Sequence, residues 1–189
     1  IDLLRATRNL KHRAVLALIY SSGLRIGELL NLKIADLDVD RKQVHVRQGK
    51  GRKDRIVMMA ESIIPLLFNY LNTYKPGVYF VEGLEGKPYS PSSVRAFLKV
   101  SCLRAKIQKK VTPHCLRHSF ATHMLENGTD IRYIQEMLGH SRPETTMIYT
   151  HVAQKDLLRI RSPLDVSLEE LAKNAKKDKN IRLSRNNLG

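Results

Sequence analysis

The sequence predicts a mainly α-helical domain of the α+β class that carries a small three-stranded antiparallel sheet. Helix start and stop signals recur along most of the chain, and short segments of strand character lie near residues 44–59 and 78–81. The length of 189 residues allows one sizeable core, alone or with an appendage. We therefore expect one domain over residues 1–165 and a C-terminal tail over residues 166–189.

Two helices are predicted near the N-terminus. The apolar stretch of residues 14–20 predicts a buried helix, and Gly23 is a good residue to end it, because glycine adopts the left-handed conformation without strain. A second helix is expected over residues 25–32.

A β-hairpin is predicted next. Val44 and Val46 alternate along its first strand, residues 55–59 form the return strand, and GKGRKDR is the turn between them. Lys50 then lies at the hairpin tip, where a lysine taken alone would be a solvated turn residue. Residues 78–81 are predicted as the third strand.

The middle of the chain predicts two more helices. The first spans residues 63–74, with Pro65 tolerated in its first turn. Ser90 followed by Pro91 is an N-cap and first-turn pair that opens a long basic helix reaching about Ile107.

Three further helices are predicted in the next segment. Their opening residues are Pro113 for residues 114–127, Asp130 for residues 130–139, and Ser141 with Pro143 for the last. Gly128 and Gly139 end the first two, and Tyr149 lies on the third. In the tail, apolar residues of SLEELAKNAKKDK share one helical face, and the basic end from Lys176 is expected to be mobile.

The charge indicates a polyanionic partner. The formal net charge is +15 and the sequence pI is about 10.0, as a surface that neutralises phosphates requires. The charge is localised, because residues 86–125 hold eight Lys or Arg and no acidic residue, and residues 41–55 hold seven against one acid. A charge run is often a solvated face, yet two acid-poor stretches favour a DNA-binding groove.

The remaining composition argues against secreted and membrane proteins. There is no signal peptide and no apolar run long enough to span a bilayer, so a cytoplasmic protein is expected. The two cysteines, Cys102 and Cys115, are expected to be reduced thiols. A chain that begins at Ile1 suggests a fragment or a processed product.

One segment combines the side chains needed to attack a phosphodiester. His114, Arg117, His140 and Tyr149 lie close together in sequence, and Arg25 in SGLRIGELLNL is a second candidate arginine. The transition state of phosphoryl transfer carries negative charge on its equatorial oxygens, which fixed cations stabilise. Arginine donates two parallel hydrogen bonds to phosphate. A tyrosine nucleophile stores the broken bond as phosphotyrosine and needs neither ATP nor metal.

These residues resemble the active-site boxes of tyrosine recombinases, particularly the Xer and integron-integrase branches. The resemblance covers roughly residues 10–165 and includes several boxes in family order. The boxes are GLRIGELLNL with Arg25, GKGRKDR with Lys50, HCLRHSFATHML with His114 and Arg117, MLGH with His140, and IYTHV with Tyr149. It implies the tyrosine-recombinase catalytic fold, with the family's N-terminal core-binding domain absent from this chain.

The resemblance also implies a role for each residue. Tyr149 attacks the phosphate to form a 3′-phosphotyrosyl link, Lys50 protonates the leaving 5′ oxygen, and His114 handles protons or orients the phosphate. Three residues hold the transition state: Arg25, Arg117 and His140. Glu28, one turn after Arg25, either orients that arginine by an ion pair or lies on the helix surface. Basic residues expected to contact DNA are Arg52, Lys53, Arg55, Arg95, Lys99 and Arg104.

Zinc is an unfavoured alternative for the histidines. His114 and His118 are spaced as i and i+4, but the sequence has no CxxC, no HExxH and no carboxylate spaced as a third ligand. We therefore expect no metal and no cofactor.

The expected partners are double-stranded DNA and other copies of the chain, in a tetramer on DNA within the prokaryotic nucleoid. The tail's apolar face, from Leu168 to Ala175, either docks on a neighbouring protomer or folds back on its own domain. Two rival functions are a type IB topoisomerase, which lacks synapsis of two sites, and a non-catalytic DNA-binding module of the same fold.

Overall fold

The computed structural model describes residues 1–47 and 54–139, which belong to one compact unit. Predictions that concern residues 48–53 and 140–189, including the boundary at residue 165, lie outside the described residues. The described part is mainly helical with one three-stranded antiparallel sheet, so the predicted fold class is confirmed. Its elements are α1 (Asp2–Ala6), α2 (Leu10–Ser22), α3 (Ile26–Leu30), β1 (Leu37–Asp38), β2 (Gln43–Val46), β3 (Arg55–Met58), α4 (Ile64–Tyr74), α5 (Pro91–Arg104), α6 (Pro113–Glu126) and α7 (Ile131–Leu138).

Helix α2 is the centre of the core. Residues 14–19 are each at most 1% exposed, and the helix packs against α4 and α6. Each fully buried Leu, Ile or Val contributes roughly 1.5–3 kcal/mol relative to an exposed one. The Asn9 side chain caps the N-terminus by accepting from the His12 backbone N–H at 3.0 Å, and Gly23 ends the helix as predicted.

Gly23→Ala is expected to destabilise the domain by roughly 2–4 kcal/mol. Gly23 has a φ of +63°, and an added Cβ would lie 2.5 Å from Cδ1 of Phe120. Urea unfolding measures the loss. Gly27→Ala is the control, because a Cβ there meets nothing within 4 Å, and equal stability of the two variants would contradict the argument.

The sheet has the order β1-β2-β3 with both pairs antiparallel. The predicted hairpin is confirmed, and Val46 pairs with Arg55 at the end next to the residues that connect the two strands. Alternation places Val57 and Met59 in the core, 1% and 2% exposed, while Ile56 is 51% exposed.

The third strand is β1, so the prediction of a strand at residues 78–81 was wrong. That segment makes a single isolated bridge, between Tyr79 and Lys33. The Glu82 carboxylate accepts hydrogen bonds from the backbone N–H groups of residues 77, 78 and 79, at 3.0, 2.7 and 3.0 Å. A side chain thus satisfies donors that a strand ladder would otherwise use. Phe80 and Val81 are both 0% exposed, so their burial does not alternate.

The later helices begin at the predicted capping residues, but some of their bounds differ from the predicted ones. The side chains of Ser90, Thr112 and Asp130 cap α5, α6 and α7. Helix α5 ends at Arg104, short of Ile107. Helix α7 ends at Leu138, and Gly139 is its C-cap residue with a φ of +60°. Within residues 1–47 and 54–139, no helix is both long and apolar enough to cross a membrane.

Candidate active site

Glu28 and Arg25 form an ion pair at the start of α3. Arg25 is the N-cap residue, and Glu28 Oε2 accepts its backbone N–H at 2.9 Å. Glu28 Oε1 accepts from Arg25 Nη1 at 2.8 Å. The Glu28 side chain is 7% exposed and that of Arg25 is 27% exposed. Of the two alternatives for Glu28, the structure therefore supports the ion pair.

Arg55 approaches the same carboxylate from β3. Its Nη1 and Nη2 donate to the two oxygens of Glu28 at 2.8 and 2.7 Å, a bidentate pair. Its Nε donates to the Met137 carbonyl at 2.7 Å. The side chain is 10% exposed, so the guanidinium predicted to contact DNA is held in internal bonds.

Arg117 is buried on α6. Its side chain is 2% exposed, and it shares the inward stripe of the helix with Phe120 and Ala121. Nη1 donates to the Gly23 carbonyl at 2.6 Å and Nη2 to the Leu138 carbonyl at 2.7 Å. Nη1 also lies 4.0 Å from Oε2 of Glu28. A buried guanidinium needs such acceptors to offset the loss of hydration.

The three arginines meet at the C-terminal end of α7. We call Arg25, Arg55 and Arg117 the arginine cluster, and the backbone oxygens of residues 137–139 the carbonyl triplet. Each member of the carbonyl triplet accepts from a different arginine, with Arg25 Nη2 reaching the Gly139 oxygen at 3.2 Å. The last carbonyls of a helix lack intrahelical donors and carry partial negative charge, so cations stabilise them.

The arginine cluster carries more positive charge than its partner neutralises. Three guanidinium groups surround the single carboxylate of Glu28, which leaves a surplus of two positive charges. Planar guanidinium groups that face one region are suited to binding a tetrahedral oxyanion. The arrangement can therefore hold a phosphate and stabilise added negative charge on it.

The environment of Glu28 keeps its carboxylate ionised. Burial alone would raise its pKa, but hydrogen bonds from Arg55 and Arg25 outweigh burial and lower the pKa from 4.5 to about 2. Because the folded pKa is depressed, this carboxylate contributes stability above about pH 4.5 that is lost as the pH falls towards 2.

Glu28→Gln is expected to weaken the pH dependence of the free energy of unfolding below about pH 4.5. The variant lacks the titrating carboxylate, so its deficit relative to the original protein, on the order of 3 kcal/mol at pH 7, should shrink between pH 4.5 and 2. Urea unfolding at a series of pH values measures it. A deficit that stays constant with pH would show that Glu28 does not have a lowered pKa.

His114 lies in the first turn of α6, exposed to solvent, while Arg117 one turn later is buried. The spacing of three residues predicts that both side chains lie on one helix face. In the structure they differ in exposure to solvent. Burial and the nearby His114 lower the pKa of His118, which favours a neutral imidazole near pH 7. Among residues 1–47 and 54–139, no three His, Cys, Asp or Glu side chains are grouped to hold a metal ion.

The other predicted DNA contacts lie on and beyond α5. Arg95 and Lys99 line a groove of about 460 Å³ together with Lys109 and Lys110. Arg104 is exposed at the end of α5. This basic groove is available to a polyanion, whereas Arg55 is held internally.

Five predicted site residues lie outside the described residues: Lys50, Arg52, Lys53, His140 and Tyr149. The chain connects them to described elements, because residues 48–53 fall between β2 and β3 and His140 directly follows Gly139. Sequence reasoning missed the internal role of Arg55. The available signal was alternation, since Arg55 is in phase with the buried Val57 and Met59.

The sequence matches the phage integrase family over residues 2–156. A tyrosine recombinase of Thermosipho africanus is 42% identical over 148 residues, covering 78% of this chain and 52% of that protein. The tyrosine recombinase XerD of Staphylococcus saprophyticus is 39% identical over 157 residues, covering 79% of this chain and 53% of that protein. The chain thus spans about half the length of these relatives.

Two solved structures have the same fold as this chain. The crystal structure of XerA recombinase aligns with a TM-score of 0.77 at 39% identity, covering 85% of this chain and 63% of that one. The XerH site-specific recombinase, crystallised with its palindromic difH substrate after cleavage, aligns with a TM-score of 0.73 at 26% identity. That alignment covers 84% of this chain and 49% of XerH.

Proposed function

The chain belongs to the phage integrase family, and from this premise we propose that it is the catalytic domain of a tyrosine-type site-specific DNA recombinase. The observation that carries the proposal is the arginine cluster. Arg25 and Arg117, which lie far apart in sequence, meet around one carboxylate with a surplus of positive charge. They do so beside Gly139, the residue before His140.

The proposed reaction is a transfer of phosphorus between oxygen atoms. The Tyr149 hydroxyl loses its proton and attacks the scissile phosphorus, the bond to the 5′ oxygen breaks, and a 3′-phosphotyrosyl link forms. Lys50 gives a proton to the departing 5′ oxygen, and His114 assists proton transfer from the tyrosine. A 5′ hydroxyl from a second duplex then attacks the link and releases Tyr149. Because each step exchanges one phosphoester for another, neither ATP nor a metal is required.

The arginines supply the transition-state stabilisation in this proposal. Arg25 and Arg117, together with His140, hold the equatorial oxygens as their negative charge grows. The arginine cluster is fixed before DNA arrives, because the carbonyl triplet and Glu28 already orient it. Preorganised cations need little rearrangement at the moment of reaction.

The proposed partners are double-stranded DNA and further copies of the chain. Basic residues outside the arginine cluster position the duplex backbone: Arg52, Lys53, Arg95, Lys99 and Arg104. Exchange between two duplexes requires several active sites in one complex, and we propose a tetramer on DNA. The crystal structure of XerH bound to its difH substrate supports a DNA partner for this fold.

Covalent capture tests the proposed function. Nicked duplexes from a genomic library, labelled on the strand that stays attached, are incubated with the protein in low salt and a metal chelator. A denaturant-resistant adduct supports the proposal, and sequencing the captured DNA identifies the target site. DNA binding without any adduct would instead indicate a non-catalytic binding module. Relaxation of supercoils without exchange between two target sites would indicate a topoisomerase.

A further inference from the structure

Arg55 makes the strongest contact to Glu28. Its planar fork gives two parallel hydrogen bonds, at 2.8 and 2.7 Å, to both carboxylate oxygens. Arg25 makes one side-chain bond to that carboxylate, and Arg117 lies at 4.0 Å. Bidentate guanidinium–carboxylate pairs are stronger and better oriented than single bonds. Glu28 is therefore neutralised mainly by Arg55.

Arg55 also fixes the end of α7. Its Nε bonds to the Met137 carbonyl at 2.7 Å, and Gly139 packs directly against the guanidinium. A Cβ on Gly139 would lie 3.2 Å from Cδ and 3.3 Å from Nε and Nη1 of Arg55. The close approach suits a residue without a side chain. Arg55 thus joins β3, α3 and the C-terminal end of α7 at one point.

Resting on the function proposed above, we infer that Arg55 is a positioning residue for DNA cleavage. By pairing with Glu28 it keeps the charge of Arg25 and Arg117 directed at the scissile phosphate. By bonding to Met137 it holds the helix end from which the chain enters His140. Arg55 itself touches no DNA in this role, in contrast to the contact predicted from the sequence.

The loss of Arg55 should impair cleavage because it removes one positive charge from the arginine cluster. Without Arg55, the buried carboxylate of Glu28 is left with Arg25 as its hydrogen-bonded side chain and Arg117 as its next cation. The surplus of the arginine cluster then falls from two positive charges to one. A buried carboxylate that has lost its bidentate partner attracts the remaining guanidinium groups more strongly, so both arginines would be drawn away from a phosphate.

Substrate charge provides the test. A methylphosphonate at the scissile position replaces one non-bridging oxygen by a methyl group and so removes one negative charge. Arg55→Met is expected to slow strand cleavage of the ordinary phosphodiester by about 10- to 100-fold. On the methylphosphonate its deficit should be less than about 3-fold, because less charge has to be stabilised. Arg55→Lys, which keeps a charge but loses the fork, should fall between.

Arg47→Met is the matched control. Arg47 follows β2 in the same hairpin and pairs with the 4%-exposed carboxylate of Asp36 at 2.6 Å, so its removal also leaves a buried carboxylate. Its cleavage rate relative to that of the original protein is expected to be the same on both substrates. Rates are measured below the unfolding temperature of each variant, and DNA affinity is measured in parallel.

Three outcomes decide the inference. A deficit confined to the charged substrate supports it. An equal deficit on both substrates means that Arg55 acts only through general stability, and an unchanged rate on the phosphodiester means that it does not act on cleavage; either overturns it. If Arg55→Met does not fold, the same comparison is made with Arg55→Lys. Absence of cleavage by the original protein overturns the proposed function instead, which separates the two failures.

Discussion

Tyr149→Phe is expected to abolish covalent capture of DNA, by at least roughly 10⁴-fold, with almost unchanged DNA affinity. The substitution removes one oxygen atom, the nucleophile, and keeps the ring. Water cannot replace this nucleophile, because the captured DNA must remain covalently attached to the chain. The adduct is measured on a denaturing gel with a labelled nicked duplex, and affinity by fluorescence anisotropy at the same salt concentration.

Tyr133→Phe is the control for that experiment. Tyr133 lies on α7 and is 65% exposed, so its hydroxyl is accessible to DNA without a place in the proposed site. This variant should form the adduct at the original rate. Retention of the adduct in Tyr149→Phe, or its loss in Tyr133→Phe, would assign the nucleophile to a different residue and refute the role of Tyr149.

Arg117→Ala is expected to lose cleavage and stability together. Truncation removes a cation from the transition state, which costs at least roughly 10²–10³-fold in rate. It also leaves the Gly23 and Leu138 carbonyls without their donor at a site where the side chain is 2% exposed. The combined loss in the free energy of unfolding should be about 3–5 kcal/mol. Urea unfolding and single-turnover cleavage measure the two effects.

Arg117→Lys separates charge from geometry. A lysine keeps the positive charge and can bond to one carbonyl, so part of the stability should return. Cleavage should stay low, because a single ammonium cannot bond to two carbonyls and a phosphate with the geometry of a guanidinium fork. Arg132→Ala is the surface control, since that side chain is 83% exposed, and its stability should change by less than about 0.5 kcal/mol. Wild-type cleavage by Arg117→Lys would contradict the geometric requirement.

Local patterns predicted most of the elements correctly. The apolar run of α2, the glycine stops at Gly23 and Gly139, and the alternating β2 all appear where the sequence indicates. These signals depend on neighbouring residues alone. The prediction of a strand at residues 78–81 was wrong because Glu82 satisfies the backbone donors of residues 77–79, which a local pattern does not reveal.

The candidate site was predictable only in part. Its residues were predicted from a resemblance to tyrosine recombinases. The family match and the relatives confirm that resemblance, and the role of each residue stays a prediction. Composition and spacing could not place Arg25 beside Arg117, because that meeting depends on how α3 and α6 pack. The basic residues around Arg55 predict a DNA contact, but Arg55 alternates in phase with the buried Val57 and Met59 and therefore faces inward. The pairing of Glu28 could be decided only by the structure.

Because the carbonyl triplet holds the arginine cluster together, the proposed DNA cleavage requires a completely folded chain. Its three bonds join residues that are 114, 82 and 21 positions apart. Closing such long loops costs chain entropy before the contacts add any stability, so we expect these bonds to form late in folding. A nascent or partly unfolded chain can already attract DNA through its net charge of +15. The arginine cluster is not yet assembled in such a chain. Under the proposed function, a partly folded chain would therefore bind DNA without cleaving it.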